Sequence, residues 1–170
     1  MASLQRITPC LWFDGNAEGA ACFYVSLLPD SRIDRVGRAP ASYPGGEEGA
    51  VLLVDFTLAG QTFQALNGGP NFRFTEAISF SVSCADQAEV DRLWSALTAG
   101  GGAPIQCGWL KDRYGLSWQI VPEALPRLMS NSDPAQAARV FKAMMQMVKL
   151  DVAQLVARHN VLARALVSGG

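Results

Sequence analysis

Residues 74–122, FTEAISFSVSCADQAEVDRLWSALTAGGGAPIQCGWLKDRYGLSWQIVP, decide the fold because they read as strand, helix, strand, turn, strand. From Glu76 to Ser83 the residues alternate, with Ile78, Phe80 and Val82 on one face and Ser79, Ser81 and Ser83 on the other. That is the period of a half-buried strand, and its serine face needs polar company or water. Asp86 stands at a helix N-cap with Glu89 three residues on, a capping box. Val90, Leu93, Trp94 and Leu97 then recur at the spacing of one helix face, and Gly100 closes the helix. Pro104 to Leu110 and Leu116 to Val121 are two apolar runs joined by Lys111 to Gly115, a polar connection of hairpin length. In the second run Leu116, Trp118 and Ile120 share one face, and Ser117, Gln119 and Val121 the other.

The N-terminal half repeats the pattern with little shared sequence. Ile7 to Phe13 is an apolar, strand-forming run broken by Asp14-Gly15, and Asn16 caps a helix from Ala17 to Leu28 that Pro29 ends. Arg32 to Arg38 reads as an exposed strand with Ile33 and Val36 turned inward, and Ala39 to Gly49 as a Pro/Gly-rich loop near the mouth of a pocket. Val51 to Leu58 and Gln61 to Leu66 are strands joined by Ala59-Gly60, a tight hairpin turn, and Asn67 to Pro70 ends the half. The expected architecture is α+β: two βαβββ modules over 5–70 and 71–122 forming a curved mixed sheet with a cavity for a small molecule. A C-terminal helical extension over 123–160 and a tail over 161–170 complete the chain. In the extension Asp133 and Pro134 start a helix whose Val140, Phe141, Met144, Met145 and Val148 form an apolar stripe, and Asp151 caps a second. Such a methionine-rich stripe is read as core or a subunit contact.

With 170 residues the chain can bury roughly 70% of its unfolded surface, so the core needs neither disulfide nor metal. The 14 basic and 15 acidic side chains give a net charge of −1, which excludes the footprint of a nucleic-acid or anionic-membrane binder. No apolar run reaches the roughly 18 residues of a membrane span, and the N-terminus has no signal-peptide core. A cytoplasmic location is expected. Cys10, Cys22, Cys84 and Cys107 are too scattered for a metal pair or disulfide framework and are expected to be reduced, mostly buried thiols. The single histidine, His159, cannot serve a catalytic triad and a metal shell together.

The blocks ITPCLWFDGNAEGAACFYVSLLPDS, GQTFQALNGGP, EAISFSVSCADQAEVDRLWSALTAGGG and CGWLKDRYGLSWQIVP resemble the PhnB-like branch of the glyoxalase, bleomycin-resistance and dioxygenase (vicinal oxygen chelate) superfamily. The likeness runs from about Ile7 to about Leu155. It implies paired βαβββ modules, a cavity between them, and a homodimer with elements exchanged between subunits. The branch carries the label 3-demethylubiquinone 3-methyltransferase, but no glycine-rich strand-to-helix turn of the kind that usually holds S-adenosylmethionine is present, since neither Gly68-Gly69 nor Gly100 to Gly102 opens a helix. The superfamily's metal ligands lie on the first and last strands of each module. Here Pro9 or a neighbour stands where a histidine is common, and the last strand of the first module offers Gln64. Ala77 replaces the second histidine with Glu76 beside it, and Gln119 replaces the glutamate of the related DPxGxxWEI motif.

The resemblance thus implies no cofactor beyond a weakly bound divalent metal, which would take Gln64, Glu76 and Gln119, because neutral amides are poor ligands for a transition metal. The same amides can hydrogen-bond each other or a ligand across the cavity. Trp12, Phe74, Trp109 and Trp118 can line an apolar pocket, although strand aromatics are more often core. Trp118, on the face opposite Gln119, is the poorest of these. The ligand-binding set is therefore Trp12, Gln64, Asn67, Phe74, Ser79, Cys107, Trp109 and Gln119. Cys107 near Lys111 and Arg113 is a reactive-thiol candidate whose commoner fate is an inert strand thiol, and Glu76 is the candidate general base. Two readings follow: a protein that sequesters a small hydrophobic or aromatic molecule, or a metal-dependent lyase, isomerase or dioxygenase. The labelled methyltransferase is a third.

Overall fold

The computed structural model describes residues 6–130 and 133–161. The chain divides into two compact units, Met1–Phe74 and Thr75–Gly170. The first contains β1 (Cys10–Phe13), α1 (Ala17–Val25), β2 (Arg32–Arg38), β3 (Val51–Leu58) and β4 (Gln61–Asn67). Its sheet runs β1-β4-β3-β2, with β1 and β4 parallel and the other pairs antiparallel. Alternation decides what faces the helix. Leu11 and Phe13 on β1, Val54 and Phe56 on β3, and Phe63 and Ala65 on β4 are all buried, as are Ala17, Ala20, Ala21 and Tyr24 of α1. Three alanines on that face let the helix approach the sheet closely, and each fully buried Phe or Leu contributes roughly 1.5–3 kcal/mol. The β3–β4 hairpin turns on Ala59 (φ 48°) and Gly60 (φ 79°), both left-handed as a tight two-residue connection requires. Val36, read as inward, is 36% exposed.

The cap of α1 corrects the sequence reading. Asn16 makes no capping bond, because its backbone (φ −113°, ψ 19°) does not aim the side chain at the first turn. Asn67 Oδ1, at the end of β4, accepts the Ala17 N–H at 2.9 Å instead. The loop 39–50 folds back on itself through Ala39 N–H to Ala50 O and Gly49 N–H to Ala39 O.

The second unit holds β5 (Ser79–Cys84), α2 (Gln87–Thr98), β6 (Ala103–Pro104), β7 (Trp109–Lys111) and β8 (Ser117–Pro122). Its sheet order, β5-β8-β7-β6 with β5 parallel to β8, reproduces the connectivity of the first. The duplicated βαβββ architecture is therefore present, each module with its own four-stranded mixed sheet. Asp86 caps the helix as read, its Oδ1 accepting the Glu89 N–H at 2.9 Å, while Glu89 Oε2 reaches one residue past the cap and accepts the Ala85 N–H at 2.8 Å. Val90, Leu93, Trp94 and Leu97 are all buried.

Two strand boundaries differ from the sequence reading. β5 begins at Ser79, because its partner β8 begins at Ser117 and pairing runs out there; Glu76 and Ala77 form a turn, and Ile78 is 71% exposed instead of inward. The run 104–110 breaks after Pro104, where Cys107 (φ 59°) and Gly108 (φ 82°) turn the chain away from the sheet. Their N–H groups go to the carbonyls of Met147 and Val148, so Cys107 lies in a turn and not on a strand. A Cβ on Gly108 would stand 3.0 Å from Ile120 O and the Leu150 side chain.

The extension forms α3 (Ala124–Met129), α4 (Pro134–Met144) and α5 (Val152–His159). α3 lacks a sequence signal of its own. Asp133 and Asp151 cap α4 and α5 by accepting the N–H groups of Ala135 and Gln154. Leu125, Val140, Leu150 and Leu155 form a small core with Val121, Leu128 and Met144 against it. The apolar stripe is only half inward: Val140 and Met144 pack, while Phe141, Met145 and Val148 are exposed. Gln87 ties α2 to the start of α5, donating to Leu150 O and accepting from Val152 N–H. Of the expected tail, 162–170 lies outside the described residues. Among the thiols only Cys84 is buried, since Cys22 sits on the solvent side of α1 and Cys10 opens the edge strand β1.

Candidate ligand-binding faces of the two modules

On the first sheet's face away from α1, Cys10, Gln64, Asp55 and Arg35 stand side by side across β1, β4, β3 and β2. Asp55 orders this row. Its Oδ1 accepts the Gln64 Nε2–H at 2.9 Å and its Oδ2 accepts the Arg35 Nε–H at 2.8 Å. An ionised carboxylate can only accept, so it fixes which end of the Gln64 amide faces it and leaves Oε1 turned elsewhere. Asp34 repeats the theme one pair along, taking the Thr57 hydroxyl at 2.6 Å and pairing with Arg32 at 2.8 Å. A cleft of about 310 Å³ opens beside this row, lined by Thr8, Arg32, Asp34, Asp55, Thr62 and Gln64. Desolvation, helped by the nearby Asp55 charge, pushes the Cys10 thiol up, so it stays protonated.

Three other candidates of this module are engaged in the fold. Trp12 is half-buried, donates Nε1–H to Gly69 O at 2.8 Å and meets Phe72 edge-on at 4.9 Å. Its indole lies so close over Gly68 that a Cβ there would fall 2.2 Å from the ring, which is why the turn after β4 carries glycine. Asn67 is 4% exposed, with Oδ1 capping α1 and Nδ2 bonded to Val51 O at 2.9 Å, and both ends of its amide are occupied. The amide is thereby committed to holding β4, β3 and α1 together. Phe74 packs edge-on against buried Phe13 at 5.3 Å.

In the second module Gln119 Nε2 donates to Ser79 Oγ at 2.9 Å, and Trp109 pairs directly opposite Gln119 across β7 and β8. The three are half-buried. Each amide thus donates to a neighbour in its own sheet. Trp118 is core, 1% exposed and edge-on to Phe80. Glu76 pairs with Lys111. The hydrogen bond from Lys111 Nζ holds the Glu76 carboxyl below its ordinary range, the opposite of what a base poised near neutrality needs. Cys107 touches Met145, sulfur to sulfur at 3.6 Å.

The sequence reading passed over Asp112, Asp55 and Arg35. Asp112 is 2% exposed and accepts three bonds: Tyr114 N–H at 2.8 Å, Leu116 N–H at 3.1 Å and Trp118 Nε1–H at 2.8 Å. Much of the block KDRYGLSW is explained by this knot. Asp55 could have been found as the lone charge in the apolar run VLLVDFTL.

Among the described residues no group of three or more His, Cys, Asp or Glu stands together to hold a metal ion. Gly68 and Gly69 follow β4 and Gly100 to Gly102 follow α2, and neither run opens a helix. No helix among the described residues is long and apolar enough to cross a membrane.

Residues 5–121 match the family model described as 3-demethylubiquinone-9 3-methyltransferase. A PhnB protein from Bacillus cereus, whose description carries the same methyltransferase name, is 38% identical over 69% of this chain and 99% of its own, with a TM-score of 0.63. A protein from Pseudomonas aeruginosa is 23% identical over 71% of this chain and 98% of its own, with a TM-score of 0.59. A glyoxalase/bleomycin resistance protein/dioxygenase domain from Frankia sp. EAN1pec is 15% identical over 71% of this chain and 93% of its own, with a TM-score of 0.43. No curated protein matches the chain. With its two βαβββ modules and a family match over most of its length, the chain belongs to the 3-demethylubiquinone-9 3-methyltransferase-like family that includes the PhnB protein.

Proposed function

We propose that the protein binds a small organic molecule bearing a hydrogen-bond donor, such as a ring-borne hydroxyl or amine, and does so without a tight catalytic metal. The observation that carries this reading is the bond from Gln64 Nε2 to Asp55. It leaves the Gln64 carbonyl oxygen as the group offered beside the 310 Å³ cleft, which is of small-molecule size. Gln119, with its N–H on Ser79, offers its oxygen in the same manner. Amide oxygens suit a neutral donor better than a transition-metal ion, and Glu76, the one carboxylate of the implied ligand set, is engaged by Lys111. Trp109 adds an apolar surface beside Gln119. Methyl transfer from S-adenosylmethionine is left out of this reading, because among the described residues the glycine runs Gly68-Gly69 and Gly100 to Gly102 open no helix toward a nucleotide.

The test is a thermal-shift screen of ring-bearing alcohols, amines and their methylated counterparts, followed by calorimetry on the hits. The expected outcome is a saturable ligand whose affinity drops at least tenfold in Gln64→Leu or Gln119→Leu and in its own O- or N-methylated form. Binding indifferent to both substitutions overturns the reading, and so does turnover that requires an added divalent metal.

A further inference from the structure

The helical extension, residues 123–161, lies beyond the stretch matched by the family model, so its surface is an addition to the module pair. Between α4 and α5 it carries a groove of about 390 Å³. Arg139 and Lys142 line it from α4 and Arg158 from α5, with Ala143, Met147 and Val161 supplying carbon surface. Among the described residues no acidic side chain lines it. Asp133 and Asp151 cap helices, and Asp91 takes Lys149.

Arg139 is partly accounted for by the fold, since its Nε donates to the Arg158 carbonyl at 3.3 Å near the end of α5. One guanidinium nitrogen, Nη2, is nonetheless shut off from solvent with no acceptor among the described residues. Leaving a buried donor unmet is costly, and more so on a charged group. Lys142 and Arg158 make no side-chain ion pair among the described residues, although each sits favourably in the last turn of its helix. Helix ends explain single cations; they do not explain three around one groove in a chain whose net charge is −1.

We propose that this groove is a binding site for a small organic anion, a carboxylate or phosphate monoester carrying an aliphatic chain. The head would lie among Arg139, Lys142 and Arg158, where the exposed Arg158 guanidinium can take two oxygens at once, and the chain along Ala143, Met147 and Val161. The volume falls within the roughly 300–1,000 Å³ of small-molecule sites. An acidic protein segment is the competing occupant, and the small size of the groove favours the small anion.

Calorimetry on the full chain with octanoate, octyl phosphate, octanol and inorganic phosphate tests this, alongside the exposed-residue double variant Lys142→Gln/Arg158→Gln, whose fold is checked by thermal melting. Octanoate or octyl phosphate should bind saturably, and the double variant should lose at least tenfold in affinity. Octanol and inorganic phosphate should each bind at least tenfold more weakly, since each lacks one half of the recognised chemistry. Gln64→Leu should leave this binding unchanged, which separates it from the cleft on the first sheet. Absence of saturable binding by both amphiphilic anions at millimolar concentration, binding untouched by the double variant, or capture of a poly-glutamate peptide in preference to either anion overturns the proposal.

Discussion

Asp55 Oδ1 and Gln64 Nε2 stand 2.9 Å apart on neighbouring strands, and that bond decides which atom of the amide is offered to a ligand. A glutamate at 64 would set two carboxylates against each other. Gln64→Glu is therefore expected to destabilise the protein by about 1–2 kcal/mol at pH 7. Part of that loss should return as the pH falls and one of the pair takes up a proton. Urea denaturation at pH 7 and at acid pH measures both effects.

Asn67 joins the end of β4 to the start of α1. Replacing it with alanine strips the Ala17 N–H and the Val51 carbonyl of their partners in a site that is 4% exposed. The expected loss is about 2–4 kcal/mol, read from the shift in denaturation midpoint. Asn16→Ala, by contrast, should cost close to nothing because that side chain makes no cap.

Asp112 gathers two backbone N–H groups and the Trp118 indole. Asp112→Ala leaves three donors unmet beside a buried ring and is expected to cost about 3–5 kcal/mol. Asp112→Asn should cost less, since its carbonyl oxygen still accepts while its N–H₂ opposes a donor. Equilibrium unfolding of the two variants side by side checks the order.

Cys84 is fully buried, and desolvation, with Glu89 next in weight, pushes its thiol up from 9.0 to about 11. The folded protein thus keeps the proton more tightly than the unfolded chain does. The stability this confers is complete below pH 9 and is lost as the pH climbs through 9 toward 11. Stability measured from pH 8 to 11 should fall more steeply in the native sequence than in Cys84→Ala. Below pH 9 the thiol should also resist alkylating reagents that modify exposed Cys22.

We propose that the chain forms the homodimer that the family resemblance implies, covering exposed apolar side chains such as Phe72, Ile78, Phe141 and Val148. Light scattering coupled to gel filtration should give the mass of two chains, and a single-chain mass at micromolar concentration would contradict it.

Both modules could be read from the sequence because local signals agreed with the final packing. Asp86 and Glu89 announce α2, the spacing of Val90, Leu93, Trp94 and Leu97 gives its buried face, and Ala59-Gly60 can form little but a tight hairpin. What could not be read depends on partners distant in sequence. Asn16 carries the local mark of a cap, yet Asn67 performs it from 50 residues away. Cys107 sits in a run that looks like strand, but Met147 and Val148 take its turn's N–H groups. Ile78 fits the alternation of β5 but lies past the last residue that β8 can pair. The site was legible as residue types and not as orientations: Gln64 and Gln119 were identified, while the neighbours that aim them, Asp55 and Ser79, emerge only from strand register.

The central claim is that the Gln64 carbonyl oxygen serves as an acceptor for an organic donor and not as part of an ion's shell. Metal content per chain, measured on protein grown with supplemented manganese, nickel, iron and zinc and purified without chelators, tests it most directly. The account predicts far less than one divalent ion per chain, with the same value for the native sequence and Gln64→Leu. Close to one ion per chain in the native sequence, lost in Gln64→Leu, would contradict it.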